Sequence, residues 1–274
     1  MKLLAIGDNV VDYYKDKDMI YPGGNALNVA VLSKRYGAEI SSYMGIIGND
    51  LPASHVLESL EKEEIDISKL RQAFGENGMA VVTLDEEGDR IFLKGNKGGI
   101  QKYLTIRLTE EDYEYIKLHD LVHTSVYSYF EQTLPELSNY IDVSFDFSTQ
   151  REKLYLDTVC PFIKQAFFSG NDLKPQECEA LIDTVHDYGV EIVGVTRGSE
   201  GALFSKKGKR YRQSIVPIEV VDTLGAGDSF IAKFIVEHHK HGDMEVSLAE
   251  AAKAAADTCT IFGAFGYGLP FTKE

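Results

Sequence analysis

Positive charge is scarce in this sequence. Against 43 Asp and Glu stand only 28 Lys and Arg, a formal net charge of -15 over 274 residues. A groove-binding protein needs clustered Lys and Arg to neutralise phosphates, so this balance argues against a nucleic-acid partner. It leaves room for a small anionic ligand whose charge is offset by backbone donors or a metal. Cysteine is also rare. Cys160, Cys178 and Cys259 are widely separated, odd in number and without a C-x-x-C pair, which points to a reduced, cytoplasmic setting. Long apolar runs are missing too. The amino-terminal MKLLAIGDNVVD meets a charged residue after a short apolar stretch, and reads as a buried strand, with no signal peptide and no membrane span. No repeat, low-complexity tract or interdomain linker interrupts the chain. Residues 1–274 therefore read as one α/β domain of ordinary globular composition, 44% hydrophobic and 26% charged.

What is present is an alternation of short apolar runs bounded by glycine with longer segments of helical period, the pattern of a mainly parallel sheet with crossover helices. The strand candidates are LLAIG, SSYMGIIG, DLVHTSV, DVSFDFS, QAFFSG and EIVGVT. Between them NALNVAVLSKRYG, ASHVLESLEKEEI and PQECEALIDTVHDYG read as helices, with Gly37 at a left-handed terminus. The chain closes on DSFIAKFIVEHHKHG and LAEAAKAAADTCTIFG. His238, His239 and His241 lack cysteine or acidic ligands at metal spacing and read as a solvated helix end. Two stretches break the rhythm. GMAVVTLDEEGDRIFLKGNKGG reads as a hairpin, and with DYYKDKDMIYPGG it makes a small sheet from about 12–24 and 78–99, either a lid over a site or a plain edge hairpin.

The chemistry concentrates in DTLGAGDSF. A β-like run, SIVPIEVV, precedes it and an apolar-striped helix follows, so Gly225, Ala226 and Gly227 mark a strand-to-helix turn. The free N–H groups and dipole of a helix start make an anion site there. Asp228 suits a helix cap, and it also suits a base that accepts a proton from an attacking hydroxyl while the turn holds a phosphoryl group. The G-x-x-x-x-G-K-[ST] loop is absent, and GAGDSF does not complete a G-x-G-x-x-G fingerprint.

DTLGAGDSF closely resembles the carboxy-terminal signature D-T-x-G-A-G-D of the ribokinase or PfkB sugar-kinase family. IGDNVVD, GGNALNVA, GIIGND and TRGSEGALF resemble that family's other motifs in the same order along nearly the whole chain. The resemblance implies a ribokinase-like three-layer α/β/α domain with a mainly parallel central sheet and a small β-sheet lid. It implies an ATP-dependent kinase acting on a primary hydroxyl of a ketose-type sugar, with Asp228 as base and Gly225, Ala226 and Gly227 as anion hole. Asp12, Gly24, Asn25 and Asn28 would bind the sugar, although Asn25 alone reads as readily as a cap. Asn171, Thr196, Gly198 and Gly201 would border the nucleotide, and CTIFGAFG would close over the adenine. Mg²⁺ would ride on the ATP phosphates and water, with no protein metal ligand assigned, and some relatives hold a monovalent cation through an aspartate like Asp222. Two motifs depart from the family pattern. Asn171 lacks the glutamate of N-x-x-E three residues on. In DFSTQR, Asp146 matches D-x-N-x-R while Arg151 is displaced by one place, so Arg151 is not assigned to phosphate.

Within the family, IGDNVVD, GGNALNVAV, EEDYEYIKLHDLVHTSVYS, FDFS and DTLGAGDSFIA are most similar to the fructoselysine 6-kinase branch, which acts on fructosamines. Arg90, on the lid, would face a substrate carboxylate or a neighbouring acid. Fructokinase or another hexose kinase is the alternative within the family. Outside it stand a dinucleotide oxidoreductase, disfavoured by the missing fingerprint, and a sugar or nucleotide sensor, disfavoured by the intact Asp228. A small sheet standing off the core leaves an apolar face for either substrate or a second copy to cover, and a homodimer through the lid is the expectation.

Overall fold

Short runs of apolar residues such as LLAI are buried on both faces inside a covered parallel sheet, and that is where this one lies. The protein is described by a computed structural model that covers residues 1–84 and 90–272. Its main sheet has eight strands, in the spatial order Lys209–Gln213, Ala202–Lys206, Ile192–Thr196, Gln165–Ser169, Val143–Asp146, Leu121–Ser125, Lys2–Ile6 and Ile40–Met44. Every neighbouring pair from Ile192–Thr196 to Ile40–Met44 is parallel. An antiparallel hairpin, Ala202–Gln213, closes the other edge. Alternate residues divide between two cores. Leu3, Ala5 and Phe167 pack with helices Asn25–Arg35, Ala226–His241 and Met244–Thr258. Leu4, Ile6, Phe145 and Phe168 pack on the opposite side with Lys153–Val159 and Pro175–His186. The period of two along each strand thus builds three layers.

Asn25–Arg35 is buried from Asn25 through Ser33. Its small and apolar side chains let it sit between the sheet and the helix Ala226–His241, so its polar residues Asn25 and Asn28 are held inside the protein. Gly37, at φ +96°, follows its end as the sequence suggested.

A second, five-stranded sheet runs in the order Leu269–Pro270, Met19–Gly23, Val10–Tyr14, Met79–Leu84 and Arg90–Gly95. Segments 12–24 and 78–99 both contribute strands to it. Leu269–Pro270 adds an edge strand that nothing in its two-residue pattern announced. The hairpin turn DEEGDR begins at residue 85, and 85–89 lie outside the described residues.

Three local expectations need correction. SSYMGIIG is two strands, Ile40–Met44 in the main sheet and Ile46–Ile47 paired with Arg71–Gln72, because the chain leaves the sheet at Gly45. SIVPIEVV forms no strand; residues 214–220 carry no regular structure, so the signature turn joins a loop to a helix. The histidine-rich helix end is only partly solvated. His238 stacks on Phe234 at 5.5 Å and contacts Lys206 Nζ at 3.0 Å, and burial with Lys206 pushes its pKa down to about 4. Among the described residues, no helix is long and apolar enough to cross a membrane.

Candidate active site

In a parallel sheet the carboxyl ends of the strands open onto a common crevice, where chemistry-bearing residues collect. Asp8 follows the strand Lys2–Ile6, while Ser125, Asp146 and Thr196 end theirs. The helix Asn25–Arg35 starts in this crevice, and its N-cap position is Gly24. Gly24 has φ +110°, and a Cβ there would lie 2.7 Å from the Asn9 Cα and 2.9 Å from the Asp8 carbonyl oxygen. Only glycine fits so close a crossing of the main chain. The close approach at Gly24 is thus made by the protein's own main chain.

With no capping side chain from Gly24, a distant carboxylate does the work. Asp8 Oδ2 accepts from the Asn25 backbone N–H at 2.6 Å, and Oδ1 accepts from Ala26 N–H at 3.2 Å and from the Ser125 hydroxyl at 2.8 Å. The cap therefore comes from 17 residues upstream, and Asn25 is freed from the capping role that its sequence position suggested.

The Asn25 side chain instead joins two carboxylates. Its Nδ2 donates to Asp146 Oδ2 and to Asp228 Oδ1, each at 2.7 Å. Asn28 Nδ2 donates to the other Asp228 oxygen at 2.6 Å. The three-residue spacing on one helix face lets both amides reach the same group. Asp228, from the opposite end of the chain, is held by both oxygens. It is the third residue of the helix Ala226–His241, whose cap is Gly225, so it is not the cap.

Below this contact, His123 Nε2 lies 3.0 Å from Asn25 Oδ1 and His123 Nδ1 lies 2.6 Å from the Ser144 hydroxyl. His123 and Ser144 are both fully buried and sit opposite each other in register on neighbouring strands. Burial pushes the His123 pKa down to about 3, so the ring is neutral near pH 7. Asp146 shifts the other way. Burial first, and the nearby Asp228 charge second, raise its carboxyl to about 7, against the pull of hydrogen bonds from Ser148 N–H and Asn25.

Asp12 is 2% exposed on the strand Val10–Tyr14 of the small sheet. A Cβ on Gly23 would come within 2.4 Å of its Oδ2, so its carboxylate lies across that glycine at the entrance to the first helix. Arg90 belongs to the strand Arg90–Gly95, but its side chain is outside what the structure describes.

On the signature side, Gly225 is left-handed at φ +76°, and a Cβ there would overlap Ala264 at 2.4 Å. The segment containing CTIFGAFG therefore packs directly on the turn. Gly227 is the opposite case: a Cβ on it meets nothing within 4 Å. Its N–H is one of the helix-start donors, which have no partner within the helix. Asp222 is fully buried and ties three segments together. It accepts from the Tyr14 hydroxyl, from Leu224 N–H at 3.0 Å and from Gly263 N–H at 2.9 Å.

Further along the crevice, Asn171 and Gly198 are neighbours, since a Cβ on Gly198 would lie 3.2 Å from Asn171 Nδ2. Thr196 Oγ1 donates to the Phe168 carbonyl at 3.4 Å. Gly201 lies tight against the Gln213 carbonyl oxygen at the mouth of the edge hairpin. Arg151 is held by Asp172 at 2.8 and 3.0 Å. The structure thus brings Asn25, Asn28 and Asp228 into contact and pairs Asn171 with Gly198. Asp8, His123, Ser144 and Tyr14 had no assigned role in the sequence reading. Each acts through a partner far away in sequence, and only the aspartate directly after Gly7 offered a local hint.

The sequence profile described as pfkB family carbohydrate kinase matches residues 8–144 and 154–266. Fructosamine kinase FrlD of Bacillus subtilis (strain 168) is 55% identical over 274 residues, spanning 100% of this chain and 96% of the relative. Fructoselysine 6-kinase of Shigella flexneri is 33% identical over 270 residues, spanning 97% and 100%. The solved structure of Arabidopsis thaliana ribokinase complexed with ribose and ATP shares the fold at a TM-score of 0.83 and 21% identity, spanning 98% of this chain and 96% of that one. The fold is ribokinase-like, and the chain belongs to the pfkB family of carbohydrate kinases.

Proposed function

We propose that this kinase transfers the γ-phosphoryl group of ATP to the 6-hydroxyl of a fructosamine such as fructoselysine. The observation that carries the reading of the reaction is the clamp on Asp228, and the substrate class rests on the end-to-end similarity to a fructosamine kinase. The two Asp228 oxygens accept amide hydrogens from Asn25 and Asn28, which fixes the direction in which the carboxylate would meet a substrate hydroxyl. Asp228 takes the hydroxyl proton as the new O–P bond forms and the bond from the γ-phosphorus to the bridging oxygen breaks, so that ADP leaves. The N–H groups of Gly225, Ala226 and Gly227, at a helix start, would hold the charge on the transferring group, with the Ala226 N–H also donating to the Thr223 carbonyl at 3.3 Å.

Asp12, Gly24, Asn25 and Asn28 would orient the sugar, with Asn25 and Asn28 acting chiefly through Asp228. Asn171, Thr196, Gly198 and Gly201 would border the nucleotide, with Gly201 also needed for its own hairpin. The donors at that end are an amide and main chain, which suits an Mg²⁺ carried largely by phosphate and water. That ion would neutralise charge on the phosphates. A monovalent cation near the signature loop would draw on Asp222, whose oxygens already accept three protein donors; no step here is routed through such an ion.

The small sheet would act as the lid, since Asp12 and Tyr14 on one of its strands reach the two halves of the crevice. Its edge strand exposes Ile91, Phe92 and Leu93 in succession, which supports a homodimer through this sheet. Light scattering should give twice the chain mass at micromolar concentration, and Phe92→Lys should give the monomer. The reduced state implied by three separated cysteines supports a cytoplasmic enzyme.

The functional test is an ADP-release assay over fructoselysine, other fructosamines, fructose and ribose. A higher kcat/KM for a fructosamine supports the reading. Preference for fructose or ribose would overturn the substrate, and ATP binding without turnover on any sugar would favour a sensor.

A further inference from the structure

The contact between Asn25 and Asp228 works only if the amide presents its NH₂ group, and not its oxygen, to the carboxylates. Asn25 Nδ2 has one hydrogen for Asp146 and one for Asp228. Reversed, the amide would set its oxygen against two carboxylate oxygens and withdraw the Asn25 hydrogen from Asp228. The far side of the amide decides how firmly the correct orientation is held. There Oδ1 meets His123 Nε2 at 3.0 Å, and it can accept from that nitrogen only if the nitrogen carries the proton. A neutral ring carries one proton, so Nδ1 must then be the acceptor. The Ser144 hydroxyl, 2.6 Å from Nδ1, supplies the hydrogen it accepts. Ser144, His123 and Asn25 are 0%, 0% and 7% exposed, so water does not compete for these bonds.

We propose that His123, held in its Nε2–H tautomer by Ser144, is a positioning residue that fixes the Asn25 amide and thereby aims the Asp228 carboxylate. The chain runs hydroxyl to imidazole to amide to carboxylate, each group donating to the next. It places a fully buried, neutral strut from two central strands beneath a half-buried group from the last third of the sequence. Asp146 takes the second Asn25 hydrogen and closes the arrangement from the end of the strand that also carries Ser144. His123 touches no reacting atom in this scheme, and its effect is on geometry alone.

The inference rests on Asp228 being the base, so Asp228→Asn is run beside it. His123→Leu removes the donor, whereas His123→Gln keeps a donor near the Nε2 position and an acceptor for Ser144. If the strut aims the base, His123→Leu lowers kcat roughly 10- to 100-fold, with KM for ATP within about twofold. His123→Gln recovers most of the loss, and Ser144→Ala falls between the two. A merely structural role would reduce the yield of folded enzyme without this split between kcat and KM. Should His123→Leu not fold, Ser144→Ala and His123→Gln decide. A kcat in Ser144→Ala within twofold of the parent, or His123→Gln no better than Leu, overturns the positioning role. If Asp228→Asn itself retains turnover, the base assignment fails, which is a separate result from an inactive Asp228→Asn with an unaffected His123→Leu.

Discussion

On one side of the crevice Asp8, Asn25, His123 and Asp146 are buried side chains joined in one hydrogen-bond network, and Asn28 meets it through Asp228. On the other, Gly198, Gly225 and Gly227 offer main chain, and the nearby charged side chains are paired with each other, as in Arg151 with Asp172. The first arrangement suits a small, polar, uncharged sugar ring, where direction matters and each donor must find one acceptor. The second suits a phosphate chain, which backbone N–H groups can hold with no side chain intruding. Asp228 stands at the junction, carried by the glycine turn and clamped by the side-chain network.

That contrast is tested hardest at the junction. Asp228→Asn should lower turnover by about 10²- to 10⁴-fold while ATP affinity, measured by equilibrium binding, is mostly kept. Near-normal turnover would remove the base assignment.

The two glycines of the turn should then separate. Gly225→Ala forces a Cβ into Ala264 at a left-handed torsion, and should cost roughly 1–3 kcal/mol in urea unfolding. Gly227 is helical and unobstructed, so Gly227→Ala should gain about 0.5–1 kcal/mol of stability. Its methyl group nonetheless projects where the phosphate would lie, so KM for ATP should rise. A stabilised variant with unchanged KM would show that this side does not hold the nucleotide.

Asp146 probes the side-chain network through pH. Its folded pKa is raised from 3.8 to about 7, so below pH 4 it is protonated in both states and carries no penalty. Between about pH 4 and 7 the unfolded chain ionises first, and stability is lost as pH rises through the folded value. His123 and His238, whose folded values are depressed, pull the other way in both proteins, so the urea midpoint of Asp146→Asn measured relative to the parent should rise over that window. An unchanged difference would place the Asp146 titration elsewhere.

The smallest effect belongs to Arg151. Its partner Asp172 is 65% exposed in its side chain, and exposed pairs contribute little, so Arg151→Ala should change KM for ATP by less than about twofold. A large rise would bring Arg151 into phosphate binding despite its displaced motif.

How much was legible differs between the same two regions. The glycine turn, the parallel strands and the helix after DTLGAGDSF are local, because torsions denied to other residues and a period of two or 3.6 are written into consecutive positions. The small sheet was legible in its hairpins, yet Leu269–Pro270 was not, since a two-residue strand has no period. SIVPIEVV misled because β-branched residues favour a strand only when a neighbouring strand offers pairing.

The sequence by itself determined the layered α/β architecture, through the alternation of strand and helix periods, and the family, through its contiguous motifs, and it singled out Asp228 within one of them. The tertiary structure decided that Asp8 caps a helix beginning at Asn25, that one amide serves Asp146 and Asp228 together, and that Ser144 and His123 stand behind it. Those contacts join residues about 20 to 200 positions apart. A hydrogen bond depends on distance and direction in space, and a buried polar side chain takes its partner from whatever the fold brings within reach.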